Sequence, residues 1–142
     1  MLGAAGIGAA VEAAREQVFA AASDEQILSA LESVRVLTNQ ASALQFRLLA
    51  EVARREDVRC EDGTVEQRRR APGFVAIDAA SLVCEALGVS EAVAGARIEA
   101  ATRVVTELPN VLAGMEAGEV DAWRAQVVAS ELGESSSEVC RA

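Results

Sequence analysis

The sequence predicts an all-α protein: a helical bundle with one long helix and a helix-turn-helix-like segment. Three observations carry that expectation. Only 3% of the residues are aromatic although 51% are hydrophobic, so the core must be built from Ala, Val, Leu and Ile, which suit helices lying close together. Ala, Leu, Glu and Arg abound and lose little rotamer freedom in a helix, while only two prolines interrupt the chain. The apolar residues, finally, recur at helical rather than alternating spacing. At 142 residues a single domain can bury roughly two thirds of the surface its unfolded chain exposes.

Composition excludes much chemistry. All 13 basic residues are arginine and there is no histidine. Without histidine there is no Ser-His or Cys-His nucleophile pair, no His-liganded zinc and no imidazole base. Without lysine there is no Schiff base and no phosphate-loop lysine. Cys60, Cys84 and Cys140 form no CxxC pair and read as free thiols in a reducing compartment, Cys84 as a small core residue.

Residues 1–22 are expected to form a loose N-terminus with a short helix over Ala9–Ala22. The small apolar run Leu2–Val11 imitates a signal peptide, but no basic residue precedes it and it is too short to span a bilayer. The expected location is therefore cytoplasmic, with no membrane partner. Gly6-Ile7-Gly8 follows no strand, which argues against a nucleotide loop.

Residues 23–132 make up the helical domain. Ser23 and Gln26 have the spacing of a capping box, and a long helix is expected from there to about Arg55. Within it Ile27, Leu31, Val34, Leu37, Ala41, Leu44, Leu48 and Val52 recur at a mean spacing close to 3.6 and share one stripe. That stripe is expected to pack against other helices of the same chain, since Thr38 and Gln45 interrupt a strict heptad. At 1.5 Å per residue the helix is about 45 Å long, longer than a small domain is wide. Pairing with a second copy or another helical partner is the alternative.

Residues 57–73 lack apolar periodicity and read as a charged loop, marked by Glu61-Asp62-Gly63 and Ala71-Pro72-Gly73. Arg54–Arg70 holds six arginines against five acids. Arg68, Arg69 and Arg70 are candidates for phosphate contact, because guanidinium forks match phosphate oxygens. No aromatic is interleaved for base stacking, and the favoured reading is a solvated loop with internal ion pairs.

The next helix begins between Phe74 and Ala79 with Ile77, Ala80, Val83, Cys84 and Leu87 facing inward, and it stops at Gly88, suited to a left-handed terminus. Ser90 caps the following helix. There Ala94, Ile98, Ala101, Val105 and Leu108 face inward while Glu99, Arg103 and Glu107 lie on the solvent side as i,i+4 neighbours. Pro109 opens a short helix with Val111, Leu112 and Met115, and Asp121 caps a last one with Trp123, Val127, Val128 and Leu132. Gly133 is expected to end it, leaving residues 133–142 as a frayed tail.

Helix, Gly-Val-Ser turn, helix is the outline of a helix-turn-helix, and Arg97 and Arg103 would then join the arginine loop as nucleic-acid contacts. Two positions depart from the usual pattern: Ala94 stands where a larger branched residue is usual and Arg97 where an apolar one is. Ala71–Ala142 carries four arginines and eleven acids, a balance that DNA repels unless the acids face away. Glu116, Glu119 and Asp121 crowd a turn, but carboxylates at a helix start are favoured by its dipole, and no metal site or acid-base pair is read there.

The series Leu87-Gly88-Val89-Ser90, Arg97-Ile98, Leu108-Pro109, Leu112-Ala113, Gly118-Glu119-Val120 and Trp123-Arg124-Ala125 resembles the 13E12-repeat family, in its N-terminal domain of unknown function 222. The likeness spans roughly Ser23–Leu132 and is strongest from Ala76 onward. It implies a helical N-terminal region of the kind commonly followed by an HNH endonuclease module, and hence DNA as a partner reached through that parent nuclease. An HNH site needs histidine for metal ligation and water activation, and this chain has none. The expectation is a truncated, non-catalytic accessory domain without metal or cofactor, serving assembly or substrate engagement. The alternatives are a helix-turn-helix DNA-binding module and a homodimerisation module.

Overall fold

The computed structural model describes residues 4–15 and 21–139. The chain forms two compact units, Met1–Val34 and Arg35–Ala142.

In the first unit, α1 covers Ala4–Arg15 and α2, which spans Asp24–Ala53, begins. Helix α1 starts at Ala4, ahead of the expected Ala9; the expected course over 16–20 lies outside the described residues. The capping box forms. Ser23 N donates to Gln26 Oε1 at 2.9 Å, and Gln26 N donates to Ser23 Oγ at 3.2 Å, satisfying two N–H groups that the first helical turn leaves without partners. Leu28, Leu31 and Val34 are exposed.

The second unit holds the rest of α2 and corrects the expected direction of its packing. The buried side is Asn39, Ala43, Phe46, Leu49, Ala50 and Ala53, whereas Leu37, Leu44 and Leu48 of the expected inward stripe face solvent. Asn39, Ala43, Phe46, Ala50 and Ala53 step by 4, 3, 4 and 3, so α2 carries a second stripe opposite the leucine one. Its alanines let the helix lie close to the core, and Phe46 and Leu49 fill the remaining volume. Close approach with dense packing selects the small-residue face over the leucine one.

Part of the expected charged loop is a hairpin, so the fold is helical but not purely all-α. Strand β1 (Arg55–Arg59) pairs antiparallel with β2 (Val65–Arg69), Arg55 opposite Arg69 and Asp57 opposite Gln67. Asp62-Gly63 makes the turn: Gly63 has φ 83°, and Asp62 Oδ1 accepts from Thr64 N at 3.0 Å and Thr64 Oγ1 at 2.6 Å. These bonds hold the Asp62 carboxyl below its ordinary pKa. The hairpin has no apolar alternation: its backbone ladder is supported by ion pairs of Arg70 with Glu56 and of Arg69 with Glu51 of α2 rather than by a buried face.

Helix α3 (Ala79–Leu87) ends on Gly88 in the left-handed region, φ 63°. Val89 N donates to Cys84 O and Gly88 N to Glu85 O, both at 3.1 Å, the double closure that a left-handed glycine terminus permits. Ile77, expected inward, is fully exposed because α3 begins two residues after it. Helix α4 (Glu91–Glu107) starts at Ser90, whose Oγ accepts from Val93 N at 3.3 Å. Its inner side, Ala94, Ile98, Ala101 and Val104, is the centre of the core, joined by Phe46 and Leu49 of α2, Val83 of α3, Leu112 and Met115 of α5 (Pro109–Glu116), and Ala125 and Ala129 of α6 (Ala122–Val139).

Helix α6 makes the same choice of face as α2. It buries Ala125 and Ala129, while Trp123 is 72% exposed and Val127, Val128 and Leu132 also face solvent. It also runs through Gly133 to Val139 instead of stopping there. Glycine inside a helix costs roughly 1 kcal/mol against alanine, but a Cβ at 133 would collide with the Arg103 guanidinium. Arg103 Nη1 donates to Ala129 O at 2.8 Å, so this glycine makes room for a cross-helix hydrogen bond.

Candidate functional site

Two surfaces carry chemistry: the arginine-rich hairpin and the outer side of α2. At the hairpin base Glu51 of α2 is the hub. Arg69 grips it with both arms of its fork, Nε to Oε1 at 2.8 Å and Nη2 to Oε2 at 2.9 Å. Arg55, one turn further along the chain, adds bonds of 3.2 and 3.1 Å to Oε1. Hydrogen bonds from Arg69 first, then Arg55, bring the Glu51 carboxyl from 4.5 down to about 2, and the same pairing raises the Arg69 guanidinium.

The neighbouring arginines are likewise engaged within the segment. Arg70 donates from Nε to Glu56 Oε2 at 2.6 Å and lies over the Phe74 ring, 5.5 Å from its centre. Arg68 pairs with Glu66 at 3.3 Å, and Arg54 Nε donates to Arg70 O at 2.7 Å. A phosphate arriving here would have to displace carboxylates from Arg68, Arg69 and Arg70. These pairs are exposed, so each contributes little to stability alone; together they fix the hairpin against the end of α2.

The other two candidates lie on α4 with different partners. Arg97 is half-buried. Arg103 is directed to Ala129 O of α6 and pairs with Glu107 at 3.7 Å, at the wall of an open groove of about 350 Å³ between α4 and α6. The structure therefore does not gather the five arginines around one ligand.

The axes of α3 and α4 turn through 106° across the connection 88–90. The exposed first turns of α4 present Glu91, Ala92, Val93, Ala96 and Glu99, and Glu91 is already an acceptor for Ser81 Oγ at 2.8 Å. Cys84 Sγ, half-buried on α3, donates to Ser81 O at 3.3 Å.

The outer side of α2 is of a different kind. Leu37, Leu44 and Leu48 are 63%, 57% and 58% exposed, with Ala41 exposed among them. Arg47, beside them, is bound to Glu116 Oε1 at 2.6 Å. The periodicity of this stripe is plain in the sequence, whereas its outward direction is not; the signal that gives it is the rival stripe of Asn39, Ala43, Ala50 and Ala53 on the far side.

Among the described residues no three His, Cys, Asp or Glu side chains gather as a metal ion would require, and no single helix is long and apolar enough to cross a membrane. No protein-family profile, curated protein or solved structure matches the chain.

Proposed function

We propose that this chain is a non-catalytic helical domain whose work is assembly, an accessory to a nuclease of the HNH-containing 13E12-repeat kind. The 13E12 part of the reading is supported by the motif series from Leu87 to Ala125, and the non-catalytic part by a sequence without histidine. The observation that carries assembly is the outer side of α2. Three leucines stand in water along one helix, on a protein whose buried residues are mostly small. A contiguous apolar face of this kind marks an interaction surface more often than a scatter of single exposed residues does.

The test is direct. Purified chain incubated with plasmid DNA and Mg²⁺ or Mn²⁺ leaves the DNA intact; cleavage that copurifies with the chain overturns the reading.

One observation favours a second reading, a DNA-binding helix-turn-helix: the 106° turn between α3 and α4 with Ser90 capping the second helix. It requires duplex binding that falls steeply as salt rises. Absence of binding at low salt removes it.

A further inference from the structure

We propose that the outer face of α2 docks a second copy of this chain, α2 against α2 in antiparallel orientation. The inference rests on the assembly reading above and names the partner it leaves open. Leu37, Ala41, Leu44 and Leu48 are spaced 4, 3 and 4, a spacing that reads the same in both directions. A copy running the opposite way therefore meets every position: Leu37 lies on Leu48 of the partner subunit and Ala41 on Leu44 of the partner subunit. The arrangement is its own complement, as a two-fold interface must be. Ala41 at the centre lets the axes approach within the roughly 8–10 Å of packed helices, and the leucines close over both ends.

Charge selects both the partner and the direction. A chain of net charge -9 repels its own copies, so self-association needs an uncharged patch. The seam from Leu37 to Leu48 is itself uncharged, bordered by Thr38, Gln40 and Gln45 and by Arg47, whose charge is paired with Glu116. A parallel pair in register would lay Glu51, one turn beyond Leu48 on the same side of α2, near Glu51 of the partner subunit. The antiparallel pair carries the two Glu51 side chains to opposite ends and opposes the two helix dipoles. The charged side chain at its border, Arg47, is already held by Glu116 of its own chain, so it does not select a different, acidic partner.

Four side chains from each copy make a seam at or below the small end of specific interfaces, so the dimer dissociates on dilution.

Sedimentation equilibrium of the full chain from about 1 to 100 μM tests this. The wild-type mass climbs from 14.8 kDa toward twice that value. Leu44→Glu buries an unpaired charge in each half of the seam and weakens association at least about 100-fold. Leu82→Glu, at an exposed position of α3, leaves the mass curve unchanged, and all three proteins keep the same helical circular dichroism. Should Leu44→Glu lose helicity, Leu48→Gln gives the same reading with no added charge. A wild-type chain that stays at 14.8 kDa throughout, a mass beyond two copies, or association that survives Leu44→Glu and is lost in Leu82→Glu overturns the proposal. None of these outcomes bears on DNA cleavage, so failure of the pairing is distinct from failure of the accessory-domain reading.

Discussion

Asn39, buried on α2, donates from Nδ2 to the carbonyl oxygen of Gly118 at 2.8 Å, where the chain turns from α5 to α6. Arg35 Nη1 reaches the same oxygen at 3.3 Å, and Gln40 Nε2 donates to Glu116 O at 3.1 Å. A helix ends with carbonyls that have no partner inside it; α2 supplies one for Glu116 O, the last of α5, and others for the Gly118 carbonyl in the turn beyond it. This polar grip fixes which side of α2 faces the core, and so which side faces outward.

Asn39→Ala removes a buried donor and leaves a carbonyl short of its main partner, so it is expected to cost about 1–3 kcal/mol in urea unfolding. Gly118→Ala is expected to cost about 2–4 kcal/mol, because φ is 82° and the new Cβ would meet Val36 Cγ1 at 2.5 Å. A change below about 0.5 kcal/mol in both variants would show that the turn does not depend on this contact.

Thr102 on α4 is buried, and its hydroxyl has no hydrogen-bond partner among the described residues. Thr102→Val replaces that hydroxyl with a methyl group of similar volume. The variant is expected to be more stable by about 1 kcal/mol, as removal of an unsatisfied buried group predicts. A loss of similar size in thermal unfolding would mean that the hydroxyl is satisfied.

Glu51 gives the hairpin base a defined pH response. Its pKa is 4.5 ordinarily and about 2 in the folded chain, through Arg69 and then Arg55. Between those values the unfolded chain holds the proton and the folded chain does not. Stability from this group is therefore complete above pH 4.5 and is lost as the pH falls toward 2. Melting temperatures of wild type and Glu51→Gln should differ most near neutrality, with wild type higher, and converge at about pH 2. A gap that stays constant or widens in acid would contradict the pairing.

Helix boundaries set by glycine, proline and capping side chains were legible in the sequence, because those signals are local: Ser23, Gly88, Ser90, Pro109 and Asp121 all act where expected. What was not legible is the choice between faces. In α2 and α6 the larger apolar residues draw attention by size, yet Ala43, Ala50, Ala53, Ala125 and Ala129 go inside, since close approach depends on the neighbouring helix and not on the segment alone. The hairpin was hidden for a related reason. Its strands are held by Glu51 and Glu56 rather than by a buried alternating face, and only the Asp62-Gly63 pair announced a turn. For the arginines, the sequence shows their clustering and the acids of the same segment that pair with Arg68 and Arg70, Glu66 and Glu56, but not Glu51 of α2, which holds Arg69.

The central claim is that α2 turns its small-residue side inward and its leucines outward, and adjacent residues test it most directly. Leu48 is 58% exposed and Leu49 4%. Urea unfolding of Leu48→Ala and Leu49→Ala, at a concentration low enough to keep the chain monomeric, is expected to show a loss of about 2–5 kcal/mol for Leu49→Ala and under about 0.5 kcal/mol for Leu48→Ala. Equal losses, or the larger loss at Leu48, would contradict the account.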